Sequence, residues 1–191
     1  YGGEQNIWGA IGGQHYCALP FTRLVSGHAD FTGGYFGHGP KLRGSSWALQ
    51  MAANIIYTSP ILHWVSNPAD MEAAFPKDSP EREVVRNIPS VWDETVVLPP
   101  SAIGKCAAFA RRSGNQWYIA LMNGDDRERT ISIPLDFLDK NTAYRATVLR
   151  DLAEKNDGWS VETRKAASGN ALSFTMRIKG GGIARLTPAE K

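Results

Sequence analysis

The chain has few cysteines and no long hydrophobic run, and each absence excludes a class of protein. Among 191 residues only Cys17 and Cys106 are cysteines, far apart and without the Cys-x-x-Cys or Cys/His spacing of a zinc site. A disulfide-rich scaffold is therefore excluded, and we expect two buried thiols, with a disulfide between them as the alternative. No apolar run approaches the roughly 20 residues of a membrane-spanning helix, so we predict no membrane span.

An excess of charge of one sign is also absent. The chain carries 21 Lys and Arg against 19 Asp and Glu, a net charge of +2, and no basic run is long enough to follow a phosphate backbone. We therefore predict no nucleic-acid partner. A hydrophobic content of 42% with 21% charged residues is typical of a globular protein.

Several motifs and an export signal are missing as well. The sequence contains no Gly-x-Gly-x-x-Gly, Walker loop or Gly-x-Ser-x-Gly elbow. It opens on Tyr1-Gly2-Gly3-Glu4, without an initiator Met and without the pattern of a signal peptide. We expect the chain to be a piece of a longer polypeptide and to pack against the remainder of it. The localisation is then that of the parent protein.

The first half of the chain is predicted to contain loops followed by α/β structure. Residues 1 to about 45 are rich in Gly, aromatics and His without a regular period, which is typical of functional loops. A helix is predicted over 47–57, with Ser45 or Ser46 as its N-cap and Ser59-Pro60 as its end. A buried strand is predicted over 61–65. Asn67-Pro68 then begins a second predicted helix, over 69–75. This order indicates an α/β region.

The second half of the chain is predicted to consist of short strands separated by turns. Strands are predicted over 106–112, 116–123, 130–133, 144–150, 172–178 and 183–186, with Ser113-Gly114-Asn115 forming a hairpin turn. Such spacing predicts an antiparallel sandwich or barrel. We place a domain boundary at Pro99-Pro100, which gives domains of 1–99 and 100–191.

Few single residues in the first half identify a chemistry by themselves. Glu4 lies on a glycine-rich loop beside aromatics, where partial desolvation would raise its pKa and suit it to protonate a leaving oxygen, although a solvated Glu is the more common case. Arg23 and Asp30 either form a structural ion pair or bind substrate hydroxyls. Trp8, Tyr16, Phe31, Tyr35 and Phe36 either form a sugar-stacking platform or belong to the core.

Taken together and in order, these motifs resemble glycoside hydrolase family 97, a bacterial family of α-glucosidases and α-galactosidases. The resemblance rests on Gly2-Gly3-Glu4, His15, Leu19-Pro20-Phe21-Thr22-Arg23, Gly27-His28-Ala29-Asp30-Phe31-Thr32 and Pro89-Ser90-Val91-Trp92-Asp93-Glu94-Thr95. It covers nearly the whole chain. One difference is that Thr32-Gly33-Gly34 stands where the family has Thr-Pro-Gly.

The resemblance implies a fold, an activity and a site. The fold is the C-terminal portion of a (β/α)8 barrel over 1–99 followed by an antiparallel β-sandwich over 100–191. The activity is that of an exo-acting α-glycosidase, which hydrolyses terminal α-linked sugars of oligosaccharides with calcium. Glu4 is the implied general acid and a calcium ligand, and His15, Arg23 and Asp30 are implied to bind substrate.

Further implications concern what lies outside the chain. The base or nucleophile and the other calcium ligands are expected before Tyr1, so the fragment alone is expected to be inactive, and the enzyme is expected in the periplasm or outside the cell. One alternative is a carbohydrate-binding module without catalysis, in which the aromatics of the first half or Trp117 and Trp159 stack on glycan, and another is a purely structural domain.

Overall fold

The structure is a computed structural model that describes residues 11–37, 39–61 and 63–189. Its α-helices are Gly13–Ala18 (α1), Trp47–Ile56 (α2), Pro68–Ala74 (α3) and Pro80–Arg86 (α4), with short 3-10 turns at Leu19–Phe21, Arg23–Ser26 and Gly39–Leu42. Its strands are Thr32–Gly33 (β1), His63–Trp64 (β2), Glu94–Val97 (β3), Cys106–Ser113 (β4), Gln116–Asn123 (β5), Arg129–Pro134 (β6), Tyr144–Asp151 (β7), Trp159–Ala166 (β8), Ala171–Met176 (β9) and Gly181–Pro188 (β10).

Three of the helices begin at a capping side chain. Ser46, Asn67 and Ser79 each accept a hydrogen bond from the backbone N–H three residues later, which satisfies one of the free donors of the first turn. The predicted helices over 47–57 and 69–75 are confirmed to within a residue at each end. The helix α4 was not predicted, although Ser79-Pro80 is a common N-cap and N1 pair.

The strands β1 and β2 form a small parallel sheet and are joined through α2. Thr32 pairs with His63, and Gly33 pairs with Trp64. The prediction of a buried strand over 61–65 is wrong in extent and in burial, because only His63 and Trp64 pair among the described residues of this segment and Ile61 is 64% exposed. The partner strand β1 is itself only two residues long, which limits the ladder.

Steric contacts explain why glycines follow Thr32. A Cβ on Gly33 would lie 2.3 Å from the Phe31 ring. Gly34 has φ +74°, and a Cβ there would lie 2.1 Å from the Trp64 ring. The two glycines therefore allow aromatic rings to pack directly on the backbone of the parallel unit.

The remaining long strands form one antiparallel sheet in the order β3-β4-β5-β10-β7-β8, and β6 pairs with β9 in a second sheet. The predicted β4–β5 hairpin is confirmed, with Ser113 opposite Gln116. The two edge strands, β3 and β8, were not predicted. The predicted antiparallel sandwich is confirmed in outline, since the two sheets enclose a common core.

Each face of the six-stranded sheet buries its own apolar cluster. One face packs on the β6–β9 sheet, with Trp117, Ile119, Ile133, Val148 and Phe174 among the buried residues. The opposite face packs on the helices, with Phe109, Met122, Leu149 and Ile183 joining residues of α2 such as Leu49, Met51 and Ile55. The strands thus alternate between two cores, as the two-residue period of a strand requires.

Two polar side chains connect the helices to the sheet. Arg111 of β4 is buried, and its Nη1 donates a hydrogen bond of 2.9 Å to the carbonyl oxygen of Ile55 at the end of α2. Burial lowers the pKa of Arg111 to about 10. The Tyr118 hydroxyl donates to the Asn87 carbonyl, and burial raises the pKa of Tyr118 to about 12.

The cysteines are free and fully buried, as expected, and they form no disulfide. Burial raises the pKa of Cys17 to about 12 and that of Cys106 to about 11, so both stay protonated near neutral pH. Across the described ranges, no helix is both long and apolar enough to span a bilayer. The division of the chain at Pro99-Pro100 stays a prediction; β3 lies before it and pairs with β4.

Candidate functional site

The candidate site lies where β1 and β2 end, because the carboxyl ends of parallel strands meet at one edge and commonly carry ligand-binding groups. Ser66 connects the two segments that leave this edge. Its Oγ accepts a hydrogen bond of 2.5 Å from the Phe36 N–H and donates one of 3.2 Å to the Gly34 carbonyl. The two loops are therefore held in a fixed relative position.

A phenol and a carboxylate come together beside this link. Asp70 Oδ2 accepts a hydrogen bond of 2.9 Å from the Asn67 amide, and the Asp70 N–H donates to Asn67 Oδ1. A Cβ on Gly37 would lie 2.3 Å from the Tyr35 hydroxyl and 3.0 Å from Asp70 Oδ2, so the absence of that side chain leaves room for both groups. Burial, and then the Asp70 charge, raise the pKa of Tyr35.

These groups can donate and accept hydrogen bonds. A phenol with a raised pKa remains a donor, and a partly exposed carboxylate remains an acceptor, which together suit the hydroxyls of a polyol. Sequence reasoning missed Asp70 and Ser66. The signal that could have found them is their position just after a predicted strand, within the helix cap that Asn67 forms.

The three predicted site residues that the structure describes lie on separate segments. Glu4 lies outside the described residues. His15 is exposed on α1, Arg23 is exposed on a 3-10 turn, and Asp30 is exposed just before β1. The roles assigned to these residues stay predictions.

The conformation of Arg23 is set by its own loop. Its guanidinium donates hydrogen bonds of 3.4 Å and 3.5 Å to the carbonyl oxygens of Gly27 and His28. Gly27 has φ +135°, a value that favours glycine, so the turn brings its carbonyl to the arginine. Arg23 therefore organises the segment that leads to Asp30.

Of the two alternatives for the five aromatics of the first half, a sugar-stacking platform or the core, the core holds for three. Tyr16, Phe31 and Phe36 are at most 4% exposed and belong to the core, and Trp8 lies outside the described residues. Tyr35 alone among the described members is partly exposed. The more common interpretation of such aromatics, as core, holds here.

The tryptophans of the binding-module alternative also pack internally. Trp117 is 5% exposed and contacts Phe137, at 4.8 Å between ring centroids. Trp159 contacts Phe36, Trp47 and Phe75 at centroid distances of 5.1 to 5.8 Å. A flat exposed aromatic strip is therefore absent from the part of the sheet that the structure describes, which disfavours a glycan-binding platform there.

No calcium site can be built from the described side chains. Among residues 11–37, 39–61 and 63–189, no three His, Cys, Asp or Glu side chains come together as a metal-binding group. Calcium prefers six to eight oxygen ligands with several carboxylates. The described side chains therefore form no such group by themselves, and the predicted ligand Glu4 lies outside the described residues.

The segment Trp92-Asp93-Glu94 has a structural role. Asp93 Oδ2 accepts a hydrogen bond of 2.7 Å from the Gly114 N–H, and Glu94 Oε2 lies 3.1 Å from Arg112 Nε. Trp92 packs edge-on against Tyr118 at a centroid distance of 5.3 Å. These contacts attach β3 to the β4–β5 hairpin.

The β region matches a known family model. Residues 91–187 match the model described as "Glycosyl-hydrolase 97 C-terminal, oligomerisation", which covers half of the chain. The chain belongs to glycoside hydrolase family 97. The resemblance drawn from the motifs is thereby confirmed.

Curated relatives extend the similarity into the helical half. The chain is 30% identical over 169 residues to a probable retaining α-galactosidase of Streptomyces bingchenggensis, covering 88% of this chain and 25% of that protein. It is 27% identical over 143 residues to a retaining α-galactosidase of Bacteroides thetaiotaomicron, covering 70% of this chain and 20% of that protein. The chain thus spans about a quarter or less of these relatives.

Solved structures agree with the fold. A glycoside hydrolase family 97 enzyme from Pseudoalteromonas sp. strain K8, solved with acarbose, superposes with a TM-score of 0.84 at 28% identity, over 99% of this chain and 31% of that one. A β-arabinopyranosidase superposes with a TM-score of 0.73 at 20% identity, over 91% of this chain and 27% of that one. The second similarity concerns the fold alone.

Proposed function

We propose that this chain is the C-terminal part of an exo-acting α-glycosidase that releases terminal α-linked sugars from oligosaccharides. In this proposal β1, α2 and β2 are part of a (β/α)8 barrel, and the β-sandwich supports it. The observation that carries the proposal is the similarity to retaining α-galactosidases, which extends over 88% of the chain and so beyond the β region. An α-galactoside is therefore the favoured substrate, ahead of an α-glucoside.

The geometry of the parallel unit supports the same function. Tyr35, Ser66 and Asp70 place polar groups at the carboxyl ends of β1 and β2, where barrel enzymes hold their substrates. In the proposal these residues contact sugar hydroxyls together with His15, Arg23 and Asp30, and Glu4 donates the proton to the departing glycosidic oxygen.

The test is the leaving-group dependence of a Glu4→Gln variant in the longer enzyme. We expect kcat on an α-galactosyl disaccharide to fall by roughly a hundredfold or more, and much less on p-nitrophenyl α-galactoside, because an acidic phenol leaves without a proton. Glu128→Gln, at an exposed position between β5 and β6, is the control. Equal losses on both substrates would show that Glu4 is not the general acid, and no turnover of α-galactosides or α-glucosides by the unmodified enzyme would refute the proposed activity.

Calcium and export stay predictions from the family resemblance. Calcium would be tested by elemental analysis of the purified longer enzyme and by loss of activity after chelation. Location in the periplasm or outside the cell would be tested by fractionating the source bacterium with an antibody to this chain.

We further propose that the β region mediates self-association, as the description of the matching family model indicates. The strand β3 is an edge of the sheet, and its Val97 is 52% exposed, whereas the other edge, β8, carries the charged Glu162, Arg164 and Lys165, which oppose strand pairing. A second copy is therefore expected at β3.

Light scattering after size exclusion tests this arrangement. Val97→Lys should shift the chain toward the monomer, while Val161→Lys on β8 should not. A dimer that is unaffected by Val97→Lys would place the interface elsewhere, and a monomeric unmodified chain would refute self-association.

A further inference from the structure

A cleft of about 650 Å³ lies between the helical layer and the sheet. It is lined by residues of α3 and α4, by the connection between them, and by β7 and β10: Glu72, Lys77, Asp78, Ser79, Pro80, Arg82, Glu83, Arg86, Arg145, Thr147, Arg185 and Thr187. A volume of this size accommodates a small organic ligand. The lining contains hydroxyls and charges and no aromatic ring.

The sheet forms the floor of the cleft. Arg145 and Thr147 alternate along β7 and share one face, and their register partners on β10 are Thr187 and Arg185. The Arg185 side chain is only 10% exposed and is fixed by hydrogen bonds from Nε to Gln116 and from Nη1 to Glu83. The floor therefore carries two guanidinium groups, of which that of Arg185 is held in place, and two hydroxyls.

The carboxylates of the cleft do not balance its cations. Glu72 forms a two-bond ion pair with Arg82, at 2.8 and 3.1 Å, and Glu83 pairs with Arg185 at 2.9 Å. The third acid is Asp78, whose charge acts on Arg82. With five cationic and three acidic side chains in the lining, the cleft has two positive charges in excess.

The excess charge resides on side chains without an ion pair. Within the described ranges, Lys77, Arg86 and Arg145 form no salt bridge. Arg82 and Arg86 stand four residues apart on α4 and so face the same side of that helix. The guanidinium groups of Arg86 on the helix and Arg145 on the sheet thus line the same space, and neither has a carboxylate partner among the described residues.

We propose that this cleft binds a small oxyanion, carried as a carboxylate or phosphate on a sugar or present as free phosphate. Arginine presents N–H groups in a planar fork that matches two oxygens of such an anion, and the threonine hydroxyls of the floor add donors. A neutral sugar is not favoured, because the cleft offers no aromatic face for stacking. This inference does not depend on the glycosidase proposal.

Calorimetric titration of the 191-residue chain with four probes tests the inference. The probes are glucuronate, glucose 6-phosphate, inorganic phosphate and neutral glucose, at equal ionic strength. We expect saturable binding of the anionic probes and none of glucose. Tighter binding of the sugar-borne anions would identify them as the ligand, whereas equal or tighter binding of inorganic phosphate would identify the free anion; both outcomes support an oxyanion site.

Single substitutions locate the binding. Arg86→Gln and Arg145→Gln, both at exposed positions, should each weaken binding roughly tenfold, because each removes a charge-assisted contact. Arg127→Gln, also exposed but outside the cleft, should leave binding unchanged. Absence of anion binding, equal binding of glucose, or an equal loss in Arg127→Gln would overturn the proposal.

Discussion

Asp151, the last residue of β7, is expected to make the stability of the chain fall as the pH rises from acid to neutral. Its Oδ2 accepts hydrogen bonds of 2.9 Å from the Arg177 N–H and 3.0 Å from the Gly181 N–H, and Oδ1 is buried without a hydrogen-bond partner. Burial raises the pKa of Asp151 from 3.8 to about 6, against the opposing effects of these hydrogen bonds, the Ser46 hydroxyl and the Arg177 charge.

The sign of the effect follows from the direction of this pKa shift. Since the folded carboxyl holds its proton more tightly than the unfolded one, stability is greatest below the unfolded pKa and decreases as the pH rises through the folded pKa. A shift of about two pKa units corresponds to roughly 3 kcal/mol, of which about 2 kcal/mol is lost between about pH 4.5 and 7.5.

The assay compares urea unfolding of the unmodified chain and Asp151→Asn at both ends of this pH window. The amide does not titrate, so we expect the two pH dependences to differ by about 2 kcal/mol, or about 1 M in midpoint for an m value of about 2 kcal/mol/M. All other titrating groups cancel in this comparison. Asp126→Asn, at an exposed position, should leave the pH dependence unchanged. Parallel curves for the chain and Asp151→Asn would refute the reasoning.

Two further substitutions test the packing of the helical half. Trp159→Ala should lower the free energy of unfolding by about 3 kcal/mol, because this ring fills the space between Phe36 and Trp47. Trp159→Phe should recover part of the loss. A decrease below about 0.5 kcal/mol for Trp159→Ala in urea unfolding would contradict the importance of this contact. Gly34→Ala should lower the free energy of unfolding more than Gly169→Ala does. Both glycines have positive φ, but only the new methyl group at Gly34 would meet the Trp64 ring. Equal urea midpoints for the two variants would contradict this steric argument.

Local signals predicted the elements that they control. The helix α2 could be placed from the cap at Ser46, and the β4–β5 hairpin from the turn at Gly114, because a cap and a tight turn depend on a few adjacent residues. The strand β8 could not be recognised. It is an edge strand whose residues are mostly exposed on both faces, so its sequence lacks the apolar alternation of the inner strands.

The functional groups depend on contacts between distant residues, which a local pattern does not report. Arg185 meets Glu83 across 102 positions of sequence, so the cationic cleft is visible only once the sheet lies on the helices. The family motifs, by contrast, predicted the membership in glycoside hydrolase family 97 from a few segments in order. Their site residues other than Glu4 fall on exposed segments, whereas the partly buried Asp70 beside Tyr35 was found only from the fold.

The contact between Arg111 and α2 explains why the helices and the sheet share one core. The last carbonyls of a helix lack internal partners and carry the negative end of its dipole, and the Arg111 guanidinium meets the Ile55 carbonyl there. Buried arginine is costly without acceptors, and the Trp92 and Phe109 rings lie within 5.8 Å of its guanidinium carbon. Removing the helical layer would expose the sheet face that it covers and take the carbonyl partner away from the Arg111 guanidinium. The sequence after Pro100 therefore specifies a sheet whose second face is completed only by the helices before it.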